Sequence, residues 1–127
     1  MKQTINAQNA PKALGPYSHA VKTDSMVFTS GQIGIDPETG KLCEGIEAQT
    51  VQVLKNLEAV LTAAGTSIAN VIKTTVFVAD LKDFATVNKL YGEVFTENAP
   101  ARSCVEVAAL PASALVEIEA IAVIDAD

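Results

Sequence analysis

Residues 115–124, with the sequence LVEIEAIAVI, are apolar on both of the alternating faces that a β-strand presents. Only Glu117 and Glu119 interrupt the second face. A sheet face as apolar as this is rarely left in water. Because the helices predicted below cover one face only, the pattern predicts self-association, sheet against sheet, in a closed symmetric oligomer.

The rest of the chain alternates between strand and helix patterns. Residues 47–64 and 83–96 carry apolar side chains at three- and four-residue spacing and predict two helices, with Gly65 at the end of the first and Asp83 as the N-cap of the second. Strands are predicted at 17–23, 26–30, 71–79, 101–109 and 115–124. This order predicts one α+β domain over residues 1–127, with two helices on one face of a mixed or mostly antiparallel sheet.

Length and charge exclude several classes of protein. The chain has 127 residues, 49% of them hydrophobic, which suits one globular domain and excludes intrinsic disorder. The formal net charge of −6 repels a polyanion, so a nucleic-acid partner is disfavoured.

The scarce residue types bear on metal sites and cellular compartment. The chain has one histidine, His19, and two cysteines, Cys43 and Cys104, with no CxxC pair, so neither a zinc motif nor a redox motif is predicted. The amino terminus has no apolar signal-peptide core, and no segment suits a membrane span. These features predict a reduced intracellular compartment, the cytoplasm.

Taken alone, the residue pattern offers few candidates for chemistry. Arg102 suits capture of a carboxylate, and Glu117 suits proton transfer to or from water. Each candidate also has an ordinary structural interpretation: a surface ion pair for Arg102, a buried small side chain for Cys104, a packed ring for Tyr17 and a solvated side chain for His19. The residues therefore name no reaction by themselves.

Several blocks of sequence, in a fixed order, resemble the Rid family, the YjgF-type reactive-intermediate deaminases, and within it the RidA branch. The resemblance spans nearly the whole chain. Its blocks are residues 15–18 (GPYS), 29–33 (TSGQI), 73–77 (KTTVF), 100–107 (PARSCVEV), 110–111 (LP) and 116–122 (VEIEAIA).

This resemblance implies a chorismate-mutase-like fold and a homotrimer whose active sites lie in clefts between subunits. It also implies cofactor-independent hydrolysis of 2-imino acids, namely 2-iminobutanoate and 2-iminopropanoate, and of their enamine tautomers. The products are 2-oxo acids and ammonia. Pyridoxal-phosphate dehydratases that act on threonine and serine release these substrates.

The resemblance also implies roles for particular residues. Arg102 is expected to bind the substrate carboxylate, and Glu117 to hold and polarise the attacking water. The remaining substrate-binding residues that it implies are Tyr17, Ser30, Gly31, Asn88 and Cys104, with the backbone of Gly31 and Cys104 orienting substrate or water.

The spacing of the last two strands adds a geometric expectation. If 101–109 and 115–124 form a hairpin centred near Ala112, Val107 lies opposite Glu117, and Arg102 lies about 16 Å away at the rise of a strand. One small substrate cannot span that distance. We therefore expect Arg102 and Glu117 to meet across a subunit boundary, each from a different chain.

Two other functions stay open at this point. One is a ribonuclease or inhibitor of translation, an activity that is also ascribed to the Rid family. The other is a trimer that binds a small ligand or acts as a chaperone without catalysis. Net charge and the absence of a basic run argue against the first.

Overall fold

A mixed sheet of seven strands and two helices build the fold in the computed structural model, which describes residues 1–124. The helices pack on one face of the sheet, so the α+β prediction is confirmed. The strands are β1 (Gln3–Ile5), β2 (Ala20–Lys22), β3 (Met26–Thr29), β4 (Gln32–Ile33), β5 (Val71–Val78), β6 (Ala101–Glu106) and β7 (Val116–Val123). The helices are α1 (Gly45–Ala63) and α2 (Phe84–Val94).

Strand β7 lies in the middle of the sheet. The strands run in the order β1-β2-β3-β7-β5-β6, and β4 pairs with β7 beyond the end of β3. All pairs are antiparallel except β5 with β6, which are parallel and joined through α2. With β3 and β5 on its two sides, β7 has backbone hydrogen-bond partners along both edges, and the alternate side chains on its helix side are buried.

Helix α1 ends where its sequence predicts. Gly65 adopts a positive φ of 86°. Its N–H donates to the carbonyl of Thr62, and the N–H of Thr66 donates to the carbonyl of Leu61. This pair of hydrogen bonds is the Schellman motif, which needs a residue in the left-handed region just past the helix end. Glycine adopts that conformation without a steric penalty.

The core lies between the helices and one face of the sheet. Side chains at alternate positions of the central strands, including Val76 and Ile118, are fully buried against Leu57 and Leu61 of α1. Burying a side chain of this size stabilises the fold by about 1.5–3 kcal/mol.

The other face of the sheet carries no helix among the described residues. Phe28 and Val105 are 42% and 44% exposed on it, and Glu117, Glu119 and Ile121 point to the same side. We call this surface the open face.

The predicted hairpin between the last two strands is wrong. Strand β5 lies between β6 and β7, so β6 pairs with β5 and never with β7. The connection crosses the end of β5, where the N–H of Val107 donates to the carbonyl of Val78 and the N–H of Ala79 donates to that of Leu115. A short connection between two apolar runs is typical of a hairpin, and the competing pairing of each strand with β5 is non-local.

Other boundaries also differ from prediction. The first predicted strand begins three residues later, at Ala20, and the sequence patterns missed the short strands β1 and β4. Helix α1 holds strand β4 in place, because the buried side-chain amide of Asn56 on α1 donates to the carbonyls of Ile33 and Ile35. A contact across more than twenty residues leaves no local signal.

Candidate active site

Arg102 lies on β6 on the helix side of the sheet, half-buried beside α2. Its Cζ atom lies 4.9 Å from the ring centroid of Tyr91 and 5.6 Å from that of Phe84. Within residues 1–124 the one ion pair joins Lys82 to Asp80, so the guanidinium has no carboxylate partner there. The aromatic faces attract the cation without neutralising its charge, and its N–H groups are available to an anion.

The side chains around Arg102 form a dry environment. Burial raises the pKa of Tyr91, although its hydrogen bond to Thr74 and the nearby Arg102 charge oppose the shift. Burial also raises the pKa of the Cys104 thiol, again opposed by Arg102. The thiol is therefore protonated at neutral pH, which suits a packed residue with its backbone facing the site better than a nucleophile.

Asn88 lies on the same face of α2, four residues after Phe84 and three before Tyr91. Its Oδ1 atom is buried and has no hydrogen-bond partner among the described residues. A buried acceptor without a partner is uncommon in a folded protein and calls for an explanation, such as a ligand that supplies the donor.

A second set of predicted residues gathers around Glu117 on the open face. Gly31 packs directly against this side chain: a Cβ built on Gly31 would lie 2.7 Å from the carboxyl carbon of Glu117. Burial, and then the charge of Glu119, raise the pKa of Glu117 above its ordinary value. Glu117 is thus a half-buried carboxyl group that binds a proton more tightly than a solvated one.

Tyr17 and Ser30 border the same region. A cavity of about 20 Å³, room for about one water molecule, is lined by Tyr17, Gly31 and the loop before Tyr17. The Ser30 hydroxyl donates to the carbonyl of Ser18, and the Ser30 N–H donates to the carbonyl of His19. These bonds hold the Tyr17 segment against the end of β3.

The expectation that His19 is solvated is wrong, since its side chain is 4% exposed. Its Nδ1 accepts a hydrogen bond from the N–H of Ala7, so Nε2 carries the proton and donates to the carbonyl of Pro11. Both ring nitrogens are therefore engaged in fastening the amino-terminal segment to β2.

The predicted site residues form two groups within one chain. Arg102, Asn88 and Cys104 lie on the helix side, and Tyr17, Ser30, Gly31 and Glu117 lie around β3, β4 and β7. Arg102 pairs in register with Thr74, and Glu117 with Phe77, so β5 separates them and they point to opposite faces. Strand spacing and rise place their Cα atoms about 14 Å apart.

Sequence reasoning missed Phe84, Tyr91 and Thr74 as neighbours of Arg102. The helical spacing of Phe84 and Tyr91 indicated an apolar stripe, but no sequence signal placed β6 beside that stripe. The parallel register of β5 and β6 places Arg102 next to Thr74, on the side of the sheet that α2 covers. This register depends on tertiary contacts and leaves no local signal in the sequence.

In residues 1–124 no helix is both long and apolar enough to cross a membrane. The same part of the chain has no group of three or more His, Cys, Asp or Glu side chains arranged to hold a metal ion.

Comparisons with known proteins agree with the fold and the motifs. The profile of the Endoribonuclease L-PSP family matches residues 7–124. The chain is 56% identical to the 2-iminobutanoate/2-iminopropanoate deaminase of Salmonella typhimurium, over 97% of this chain and 98% of that one. It is 53% identical to the Escherichia coli K12 protein of the same name, with the same coverage.

Solved structures superpose closely on it. The RidA protein of an Antarctic Psychrobacter has a TM-score of 0.94 and 48% identity, covering 96% of this chain and 99% of that one. Escherichia coli TdcF, solved with bound serine, has a TM-score of 0.93 and 48% identity, covering 97% and 99%. The chain therefore belongs to the endoribonuclease L-PSP family, the YjgF/Rid family that its sequence motifs resemble.

Proposed function

We propose that this chain hydrolyses 2-imino acids, in particular 2-iminobutanoate and 2-iminopropanoate with their enamine tautomers, to 2-oxo acids and ammonia without a cofactor. The observation that carries the proposal is the half-buried guanidinium of Arg102, which has no carboxylate partner within residues 1–124. The names of the Salmonella and Escherichia coli relatives support the same reaction.

Arg102 binds the substrate through its carboxylate. A guanidinium offers two parallel N–H groups that match the two oxygens, which sets the plane of the substrate as well as its position. The unpartnered Oδ1 of Asn88 accepts a hydrogen bond from the substrate, and the half-buried Cys104 borders the pocket. Binding in this way orients the imine carbon for attack.

Glu117 handles the water and its protons. As a carboxylate it takes a proton from water while the water oxygen bonds to the imine carbon, and it passes this proton to the imine nitrogen, which becomes an amine. The resulting carbinolamine collapses: Glu117 transfers the hydroxyl proton to the amine nitrogen, the C=O bond forms and the C–N bond breaks, releasing ammonia. A carboxyl whose pKa is raised by burial suits this exchange near neutral pH. The close approach of Gly31 limits the positions that Glu117 can adopt.

We place the complete site between copies of the chain in a homotrimer. Arg102 and Glu117 point to opposite faces of one sheet, so one small substrate cannot touch both within a chain. The open face exposes Phe28 and Val105, and burying it against another copy removes apolar surface from water. Arg102 lies on the edge strand β6, so packing of this edge against the open face of the next copy brings Arg102 towards Glu117 of that copy.

The chemistry of the substrate indicates its source. A 2-imino acid forms when an amino acid with a β-hydroxyl group loses water, which is the reaction of pyridoxal-phosphate dehydratases on serine and threonine. We propose that the chain works alongside such enzymes in the cytoplasm.

Ribonuclease activity is the less favoured alternative. The only histidine in the chain, His19, is buried with both ring nitrogens hydrogen-bonded, so it is not available as an acid or base for a ribose hydroxyl. The net charge of −6 opposes approach of the polyanion. The other alternative is a non-catalytic trimer that binds ligands in the same cleft. Both this trimer and the deaminase would bind the ligand, so only a measurement of turnover distinguishes them.

Ammonia release from 2-iminobutanoate, generated in situ by a threonine dehydratase, tests the proposal. Wild type should accelerate release, Arg102→Ala should abolish the acceleration, and the surface control Lys82→Ala should retain it. No acceleration by folded wild type would reject the deaminase and favour the binding protein. Appearance of cleaved RNA in a parallel assay would favour the ribonuclease.

A further inference from the structure

Two aromatic rings of α2 lie within cation–π distance of the guanidinium of Arg102. We propose that Phe84 and Tyr91 are positioning residues that orient Arg102 for a planar carboxylate ligand, an inference that rests on the proposed function of Arg102. They act through the arginine, and neither ring is required to touch the reacting atoms.

The spacing of the rings sets the geometry. Phe84 and Tyr91 are seven residues apart on α2, which is two helical turns, or about 10.5 Å along the axis. The Cζ atom of Arg102 lies 5.6 Å from one centroid and 4.9 Å from the other. The guanidinium therefore lies over both rings, and both distances are within the roughly 6 Å range of a cation–π interaction.

Tyr91 is itself held in place. Its hydroxyl shares a 2.7 Å hydrogen bond with Thr74, whose side chain is fully buried, and its ring packs against Phe95 at a centroid distance of 4.5 Å. Thr74 is the register partner of Arg102 on the neighbouring strand. The hydroxyl of Tyr91 is thus occupied, and the part of Tyr91 that Arg102 meets is the ring.

This arrangement explains how an arginine without a carboxylate partner stays in one position. The ring faces attract the cation but do not use its N–H groups as a carboxylate would. A long side chain that is ordered before binding loses less conformational freedom when the ligand arrives. We call the rings of Phe84 and Tyr91 the clamp. The clamp therefore favours a ligand that approaches the free edge of the guanidinium with two oxygens.

Phe84→Leu tests the clamp with little risk to folding, because Phe84 is 39% exposed. We expect about a two- to fivefold rise in KM for 2-iminobutanoate at unchanged kcat, and the same rise in the Kd of 2-oxobutanoate measured by calorimetry. Phe84→Tyr, which restores a ring, should return both values towards wild type. The matched control is Leu90→Val, on the side of α2 that faces α1 with Val51 and Leu54.

An ester separates positioning from a general structural effect. Phe84→Leu should leave the Kd of the methyl ester of 2-oxobutanoate, measured by calorimetry, unchanged, since this ligand has no carboxylate for Arg102. An equal loss on ester and acid, or an unchanged Kd for 2-oxobutanoate, would overturn the inference.

Tyr91 is tested by a pair of variants. Tyr91→Leu removes the ring and should weaken 2-oxobutanoate binding more than Tyr91→Phe, which removes only the Thr74 hydrogen bond. Equal weakening by both would overturn the role of the Tyr91 ring. If Tyr91→Leu does not fold, the comparison of Phe84→Leu with Phe84→Tyr determines whether the rings position Arg102.

Failure of the proposed function is distinguishable from failure of the clamp. If wild type binds 2-oxobutanoate but accelerates no hydrolysis, the deaminase is rejected and the titration of Phe84→Leu still decides the clamp. If wild type does not bind 2-oxobutanoate at all, the clamp is rejected as well.

Discussion

Arg102 and Glu117 point to opposite faces of one sheet, separated by strand β5. A cation that suits a carboxylate and a carboxyl group that suits proton transfer thus belong to the same chain but cannot serve the same small molecule within it. We propose that a second copy of the chain completes the site.

The contact between Gly31 and Glu117 predicts a selective loss of activity in Gly31→Ala. The added Cβ would displace the Glu117 carboxyl group, whose flexible side chain can move at little cost in stability. We expect kcat/KM for 2-iminobutanoate to fall at least about tenfold, with about 1.4 kcal/mol as the corresponding barrier increase.

Gly92→Ala is the matched control for this variant. A Cβ at Gly92 meets nothing within 4 Å, and alanine favours the helix by about 0.5–1 kcal/mol. Activity should persist and the thermal midpoint should rise. Full activity in Gly31→Ala would show that the position of Glu117 is not constrained in the way proposed.

The raised pKa of Glu117 predicts the acidic limb of the pH–rate profile. Because the carboxylate is the reactive form, kcat/KM should fall as pH falls through a pKa above the ordinary carboxyl value. Glu119→Gln removes the like charge that contributes to this shift, so the limb should move to lower pH. A limb that stays in place or moves to higher pH would contradict the assignment.

The same pKa predicts a dependence of stability on pH. A carboxyl whose pKa is raised in the folded state stabilises the fold below its unfolded pKa, and this contribution is lost as pH rises through the folded pKa. Glu117→Gln should therefore have a higher thermal midpoint than wild type at neutral pH, and the difference should vanish in acid. Both proteins are compared at one concentration, since assembly shifts the midpoint. A difference that persists unchanged in acid would argue against a titrating Glu117.

The hydrogen bonds from Asn56 to the segment around β4 predict a loss of stability when this side chain is removed. The side chain is 1% exposed and donates to the carbonyls of Ile33 and Ile35 at 3.0 and 2.9 Å. Asn56→Ala should lower the free energy of unfolding by about 2–4 kcal/mol, because two acceptors lose their donor. Gln52→Ala, which removes only the bond from Gln52 to Asn56, should lower it by less than about 1.5 kcal/mol. Urea unfolding measures both values, and equal losses would contradict the anchoring role.

What the sequence could predict is local. The apolar stripe of α1 and its glycine cap are encoded within a few residues, and the Gly65 motif forms as expected. The alternation in β7 correctly assigned Glu117 and Ile118 to opposite faces. These features depend on backbone geometry and hydrophobic spacing alone.

What the sequence could not predict is non-local. The sequence of residues 101–109 and 115–124 is compatible with a hairpin and equally with two strands separated by β5. The pairing energy of the whole sheet determines which of these arrangements forms. The same pairing places Arg102 over the rings of Phe84 and Tyr91. The hairpin was wrong, yet the separation of Arg102 from Glu117 within one chain holds for a different reason: an intervening strand and opposite faces.

Complementation between two inactive variants tests the shared site most directly. Arg102→Ala and Glu117→Gln are each prepared, unfolded, mixed in equal amounts and refolded together, and ammonia release is measured against the separately refolded variants. If each site takes Arg102 from one copy and Glu117 from another, random assembly leaves about a quarter of the sites with both residues intact, and about a quarter of wild-type activity should return. If the mixture stays as inactive as its components while wild type refolds to full activity, the two residues do not meet between copies and the central claim is contradicted.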